Sequence, residues 1–397
     1  MLQLQDTQLA LIHIPLELYP SFLQPILQLL LPSSPSSSHN GASSGGSVIS
    51  TGSLSDHPFI NISVTPIECS IACSRHLANA LFLPARQALP PTVRDAVSIS
   101  SDDYVVMQVD GEGLEAGQRV LELTAPLAMA GISIFFITTY FSDYILVPNR
   151  SRVHVISALE ARGFVFEPNS SACTTAGSYT HRASGSASSF ESVSAPPGTP
   201  PPTSVSELQT RTFATLKKRN VGLKVDPSIR LIQCAGQRDS NNYGRRDHSA
   251  SHDRLHLGLV RCFASTPKFL SLTLTESEPP SLLLEKRLLG FFDSGANVGE
   301  ESVLLGAKSD VLVPIILDLR TLPLESTGIV CGIAGRLVGG TRMDFGGQGW
   351  ESGAVEMSYL STARAGTVMV AEREIERALR ALREGSGLGS NGYEADG

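Results

Sequence analysis

A change of hydrophobic period, made in the same order at two distant places, constrains this chain more than any other feature. Tyr104–Asp110 alternates Val and Met with smaller or polar residues, the period-two mark of a strand. Glu115–Ala130 then sets Val120, Leu123 and Leu127 on one helical face, and Gly131 stands where a helix C-cap belongs. Ile132–Thr138 is a β-prone run, Tyr140–Ser142 a turn and Tyr144–Val147 a returning strand. Ser151–Arg162 reads as a second helix with Val153, Ile156 and Leu159 inward. Gly163 ends it, and Phe164–Phe166 forms the last strand. The order is βαββαβ, the ferredoxin-like motif.

The order recurs near the C-terminus. Val311–Leu319 reads as a strand, Gly328–Val338 as a helix, Val355–Ser361 and Thr367–Val370 as strands, and Glu372–Arg383 as a helix. Ile137-Thr138-Thr139 matches Leu360-Ser361-Thr362, and Ile145-Leu146-Val147 matches Val368-Met369-Val370. Leu9–Leu83 and Leu255–Leu305 look like two interrupted copies, with Phe59–Ala72 and Phe269–Thr275 their most strand-like pieces. The expected class is α+β, with about four tandem units.

Ser, Gly and Pro crowd three stretches that bury too little apolar surface to order themselves. The expected organisation is a first unit over 1–32 and 57–100, interrupted by disordered 33–56, and a second unit over 101–167. A disordered linker over 168–253 follows, with a less biased piece, Val205 to Ile232, suited to a short helix or strand. The third unit spans 254–309, the fourth 310–384, and 385–397 is a disordered tail.

The formal charge of -7 argues against a nucleic-acid partner, which calls for a basic stripe. The apolar N-terminus from Leu9 to Leu31 contains Pro15, Pro20, Pro25 and Glu17, so it reads as a strand and a buried helix rather than a membrane span or signal peptide. A cytoplasmic protein is the expectation. Cys69, Cys73, Cys173, Cys234, Cys262 and Cys331 are scattered, which favours free buried thiols over a disulfide framework or a zinc site.

Three runs resemble the CASTOR family of ACT-domain arginine sensors. Ala130–Val147 is similar to its second unit, Phe59–Glu68 (with Thr65-Pro66-Ile67-Glu68) to its first, and Thr327–Leu337 to its fourth. The resemblance implies four ACT units arranged as two pairs, the second beside the fourth. It implies a free amino acid bound at that interface, a homodimer, and a protein partner of the GATOR type in the TOR nutrient pathway. No cofactor or metal is implied.

An amino-acid site needs donors for a carboxylate, acceptors for an ammonium and a pocket matched to the side chain. Gly131, Ser133 and Ile134 offer a backbone approach and a hydroxyl; alternatively Gly131 is a C-cap and Ser133 a tolerated strand serine. Gly328 and Val330 lie at a helix start whose amides suit a carboxylate, or form an ordinary turn. Thr362 closes the matching strand. The family's acidic clamp for a guanidinium is broken: its glutamate falls on Ser326, with Glu325 adjacent, and its aspartate on Gly366. Ala363 and Ala365 replace loop aromatics, Arg364 adds a positive charge, and Thr341–Gly353, with Asp344, Trp350 and Glu351, looks inserted. Asp143 occupies the equivalent place in the second unit, as part of a pseudo-symmetric site or as a turn residue.

No phosphate loop, nucleophile elbow or His-Glu-x-x-His helix is present, and Gly339–Gly349 follows no strand as a dinucleotide fingerprint would. His248, His252 and His256 recur at helical spacing in a polar stretch and read as solvated. The expectation is a non-catalytic regulator that binds an amino acid. The alternatives are a ligand-free scaffold and a regulatory subunit of an amino-acid biosynthetic enzyme.

Overall fold

The computed structural model describes residues 2–30, 58–110, 116–167, 202, 204–237, 247–293, 302–339, 354–383 and 390–391. Residues 33–56 and the expected insertion Thr341–Gly353 lie outside them.

In chain order, β1 (Leu2–Leu4) precedes β2 (Leu9–Ile14), α1 (Tyr19–Leu30), β3 (Phe59–Val64) and β4 (Cys69–Ser74). A helical run follows: α2 (Arg75–Leu77), a π turn, α3 (Leu83–Gln87) and α4 (Pro91–Arg94), then β5 (Ser98–Ile99). These strands pair antiparallel in the order β3-β4-β2-β5. The next stretch holds β6 (Tyr104–Asp110), α5 (Ala116–Met129), β7 (Phe135–Thr138), β8 (Ser142–Pro148) and α6 (Arg152–Glu160). Its order is β7-β8-β6, with β1 on the far side of β6.

Then come α7 (Val205–Lys218), β9 (Leu223–Lys224), β10 (Leu231–Gly236), α8 (Asp247–Ala264), β11 (Leu270–Thr275), β12 (Ser281–Glu285) and β13 (Leu304–Leu305), paired as β11-β12-β10-β13. The last stretch has β14 (Leu312–Asp318), α9 (Ile329–Gly339), β15 (Met357–Ser361), β16 (Ala365–Ala371), α10 (Ile375–Arg383) and β17 (Ser390–Asn391), paired as β15-β16-β14-β9.

Single bridges, Leu9↔Tyr104 between β2 and β6 and Leu231↔Leu312 between β10 and β14, join successive arrays, and two seams join the halves. β3 runs antiparallel to β11 from Val64↔Leu270 to Phe59↔Thr275. β7 meets β15 at Ile137↔Leu360, where two side chains complete the ladder. The Phe136 amide donates to Ser361 Oγ at 2.9 Å and the Tyr359 amide to Thr138 Oγ1 at 3.1 Å. Those bonds exchange under a pseudo-twofold that equates Phe136 with Tyr359 and Thr138 with Ser361.

The strands are covered on both faces. Ala10, Ile12 and Ile14 of β2 pack under α1 and α8, whereas Leu9 and Leu11 face Tyr104, Phe135, Leu231 and Leu360 between the sheets. Val105, Met107 and Val109 of β6 pack instead under α5 and α9. Double burial matches the burial that runs almost unbroken through β3, β6 and β8. At Gly117 an added Cβ would stand 2.8 Å from Val338 Cγ2, so this glycine lets α5 close on α9. No described helix is long and apolar enough to cross a membrane.

Several expectations are corrected. Phe164–Phe166 is not the fourth strand of its stretch: β1 takes that edge, and Phe166 makes only a parallel bridge to Leu2. The Leu2 amide donates to Val165 O at 3.1 Å. The other half repeats the device, with β9 beside β14 and β17 parallel to β9. The stretch 168–253 is not uniformly a linker. It holds α7, β9, β10 and the start of α8, and β10 is the central strand of an array expected to begin at 254. On α6 the inward face is Val155 and Leu159, while Val153 is 71% exposed.

Candidate functional site

Beside the β7–β15 seam lies a cavity of about 50 Å³, room for a few water molecules. Three pieces of chain form it. The loop from α5 to β7 brings Ile132, Ile134 and Phe135; the loop from β14 to α9 brings Leu322, Pro323, Leu324, Ser326 and Gly328; and the end of β15 with its turn brings Tyr359, Ser361, Thr362 and Ala363. Ile329, Val330 and Cys331 of α9 complete the wall.

Of the residues expected from sequence, Ile134, Ser326, Gly328, Val330 and Thr362 line this cavity. Gly131, Ser133 and Glu325 do not. Gly131 has φ 71°, and the bonds Gly131 N to Ala128 O (3.0 Å) and Ile132 N to Leu127 O (2.9 Å) make it a C-cap. Ser133 is buried next to it at 8% exposure. Glu325 turns outward, 2.5 Å from Arg150 Nη2, so it does not stand in for the missing clamp glutamate.

Asp143 is neither exposed nor the closing residue of its turn. Thr139 closes that turn, donating to Ser142 O at 2.7 Å, while Asp143 pairs with Arg119 Nε of α5 at 2.5 Å. Burial raises the Asp143 carboxyl above its ordinary value, and Arg119 opposes the shift. The counterpart Gly366 leaves its space to Tyr359, whose hydroxyl would be 2.4 Å from a Cβ there.

The chemistry of the cavity follows from its lining. Among the described residues no acidic or basic side chain lines it, so a guanidinium would find no carboxylate there. At the start of α9 the first intrahelical bond is Gly332 N to Gly328 O at 2.8 Å, and the amides before it lack intrahelical acceptors. Such a start favours an anion. The Tyr359 side chain is 1% exposed, and its hydroxyl makes no hydrogen bond to a described residue. Burial pushes that phenol well above its ordinary value and the Cys331 thiol up to about 11, so both stay protonated near neutral pH.

Gly328 has a second role. Its φ is 79°, and a Cβ would meet Thr212 Oγ1 at 2.9 Å and Leu208 Cδ1 at 3.0 Å, both on α7. Gly332 and Gly335 also face α7, and Phe213 packs under the Arg336 guanidinium at 5.0 Å. The glycines of α9 therefore form the seat of α7.

Behind the cavity lies Glu68, fully buried. It accepts from Thr362 Oγ1 at 2.7 Å and from the Arg364 amide, and touches His13 Nδ1. Its own amide bonds Thr65 Oγ1 at 3.3 Å. The pseudo-symmetric Glu278 caps on Thr275 at 3.2 Å and receives Gln108 Nε2 and the Tyr144 hydroxyl, each at 3.0 Å, together with Ser142 Oγ. Arg364 contributes its backbone here, and its side chain does not line the cavity. Neither Tyr359 nor the role of Glu68 emerged from the sequence. The available signal was the repeated Thr-x-x-Glu spacing of Thr65–Glu68 and Thr275–Glu278.

His252 and His256 stack edge to face at 4.1 Å on α8, and burial lowers the His256 pKa. Among the described residues no group of three or more His, Cys, Asp or Glu could hold a metal ion. Five cysteines are free and buried; Cys173 lies outside the described residues.

Residues 99–161, spanning β6 to α6, match the ACT domain family. No curated protein matches the chain in sequence. Among solved structures, the aspartate kinase from Synechocystis is similar at 12% identity and TM-score 0.30, over 99% of this chain and 57% of the kinase. The chain thus spans little more than half of that kinase. The ligand-free regulatory subunit of aspartate kinase from Thermus thermophilus is similar at 11% identity and TM-score 0.26, over 41% of this chain and 96% of the subunit. Protein Atu0741 from Agobacterium tumefaciens is similar at 16% identity and TM-score 0.23, over 42% of this chain and 92% of that one. The chain contains an ACT domain, the class of module that serves regulation by binding free amino acids.

Proposed function

We propose that this chain is a non-catalytic amino-acid sensor of four ACT-type units in two pairs, similar to the CASTOR family, with its ligand at the β7–β15 seam. One observation carries the reading: Tyr359, whose hydroxyl bonds no described residue, lines a cavity together with the start of α9. The amides receive the ligand's α-carboxylate, and Tyr359 bonds its polar end. With no charged side chain in the lining, the ligand is an amino acid with a neutral side chain rather than arginine.

The cavity is smaller than such a ligand, so Leu322, Pro323 and Leu324 must swing out to admit it. Ligand-dependent packing of that loop then biases a surface toward or away from a partner. By resemblance, the partner is a cytoplasmic complex of the GATOR type. A thermal-shift screen of the standard amino acids at millimolar concentration tests the reading. A rise of several degrees with one or a few neutral amino acids is expected; no shift with any of them overturns it.

A further inference from the structure

The cavity at the β7–β15 seam has a counterpart at the other seam. Three of its pieces correspond, one pair over: the loop from β2 into α1 (Leu16, Tyr19), the end of β3 with its turn (Val64, Pro66), and the loop from α8 to β11 (Thr266, Lys268); a fourth, the connection from β9 to β10, adds Asp226. The two loops that replace one another differ in reach. Residues 319–328 roof the first cavity, whereas residues 15–18 are all that separate β2 from α1. The second pocket accordingly measures about 380 Å³ against about 50 Å³.

Thr266 stands where Gly131 stands in the equivalent loop, and it too is left-handed, with φ 49°. A β-branched residue in that region is strained and persists only where its surroundings hold it. The lining carries one acid and one base. Asp226 and Lys268 lie 3.6 Å apart at the mouth, 42% and 58% exposed. The inner wall is apolar: Leu16, Val64, Pro66 and the ring of Tyr19, whose hydroxyl is tied to Phe263 O at 2.8 Å.

We propose that this pocket is a second ligand site, for a zwitterionic amino acid with an apolar side chain. Lys268 takes the α-carboxylate, Asp226 takes the α-ammonium, and the side chain lies between Leu16, Tyr19 and Val64. A single opposite-charge pair over an apolar wall matches a zwitterion and disfavours a ligand of net charge. The choice of an amino acid rests on the reading of the first cavity.

Calorimetry on the full chain with L-leucine, L-methionine and L-phenylalanine tests it, using Lys268→Glu and Asp226→Asn at the second pocket and Ser326→Trp at the first. All three substituted side chains reach the surface, and urea melts check their folding. The proposal expects at least one probe to bind in the wild type and in Ser326→Trp, with affinity at least tenfold weaker in both second-pocket variants. If Ser326→Trp abolishes all binding while Lys268→Glu and Asp226→Asn leave it unchanged, the second site is overturned and the first stands. If the second-pocket variants lose all binding and Ser326→Trp loses none, the second site stands and the first reading fails for these ligands. No binding of any probe overturns the second site.

Discussion

The two seams of this molecule share a strand order, a pseudo-twofold and a three-piece pocket plan, yet their pockets have opposite characters. At β7–β15 the pocket is roofed and small, no charged side chain of the described residues lines it, and the Tyr359 phenol bonds no described residue. At β3–β11 it is open, larger and edged by an ion pair. One loop accounts for most of the contrast: 319–328 at the first seam against 15–18 at the second. Repeating a fold thus repeats the place where a ligand fits, while loop length and mouth charges set which ligand and how tightly enclosed.

The turn Val64–Glu68 belongs to both pockets. Val64 and Pro66 face the open one, and Glu68 holds Thr362 of the closed one. Glu68→Ala removes one partner of a buried charged network and should cost about 3–5 kcal/mol in urea unfolding. A cost under about 1 kcal/mol would separate the two pockets energetically. Next is α7, which covers α9 and has no counterpart over α1 or α8 among the described residues. Phe213→Ala should cost about 3 kcal/mol, and hydrogen exchange should rise in α9 more than in α8.

Gly328→Ala forces a side chain into left-handed backbone against Leu208 and Thr212, for about 1–2 kcal/mol. Asp318, bonded by Arg320 and Lys224, ties the root of the long loop to β9. Those bonds, Arg320 first, hold its carboxyl well below the ordinary 3.8. Its folded value is the lower one, so its contribution is present above the ordinary range and is lost as pH falls through it toward the folded value. Asp318→Asn should therefore flatten the loss of stability between about pH 5 and pH 2, measured by urea melts across that range.

Much of this fold was legible because periodicity survives in the second and fourth stretches, where strands and helices are long and Gly131 and Gly163 mark helix ends. The edge strands β1 and β9 are too short to show a period, and their pairing partners lie about a hundred residues away. In α7, Leu208, Phe213 and Leu216 form an inward face, but a neighbouring Pro- and Ser-rich tract dilutes the pattern. Val153 misled because apolar character alone does not say which of two candidate faces meets the core. At the site, Ser326, Gly328 and Thr362 were found through motif positions. Tyr359 was not, since a strand tyrosine reads as core until the cavity beside it is seen.

Tyr359 bears the most weight in the functional reading, and its counterpart Phe136 shows that the fold does not need the hydroxyl. Calorimetry of the best-bound neutral amino acid against wild type and Tyr359→Phe is the direct measurement. Affinity should fall about five- to tenfold, while unfolding free energy changes by less than about 0.5 kcal/mol. Equal affinity in the two proteins would contradict a ligand at the β7–β15 seam.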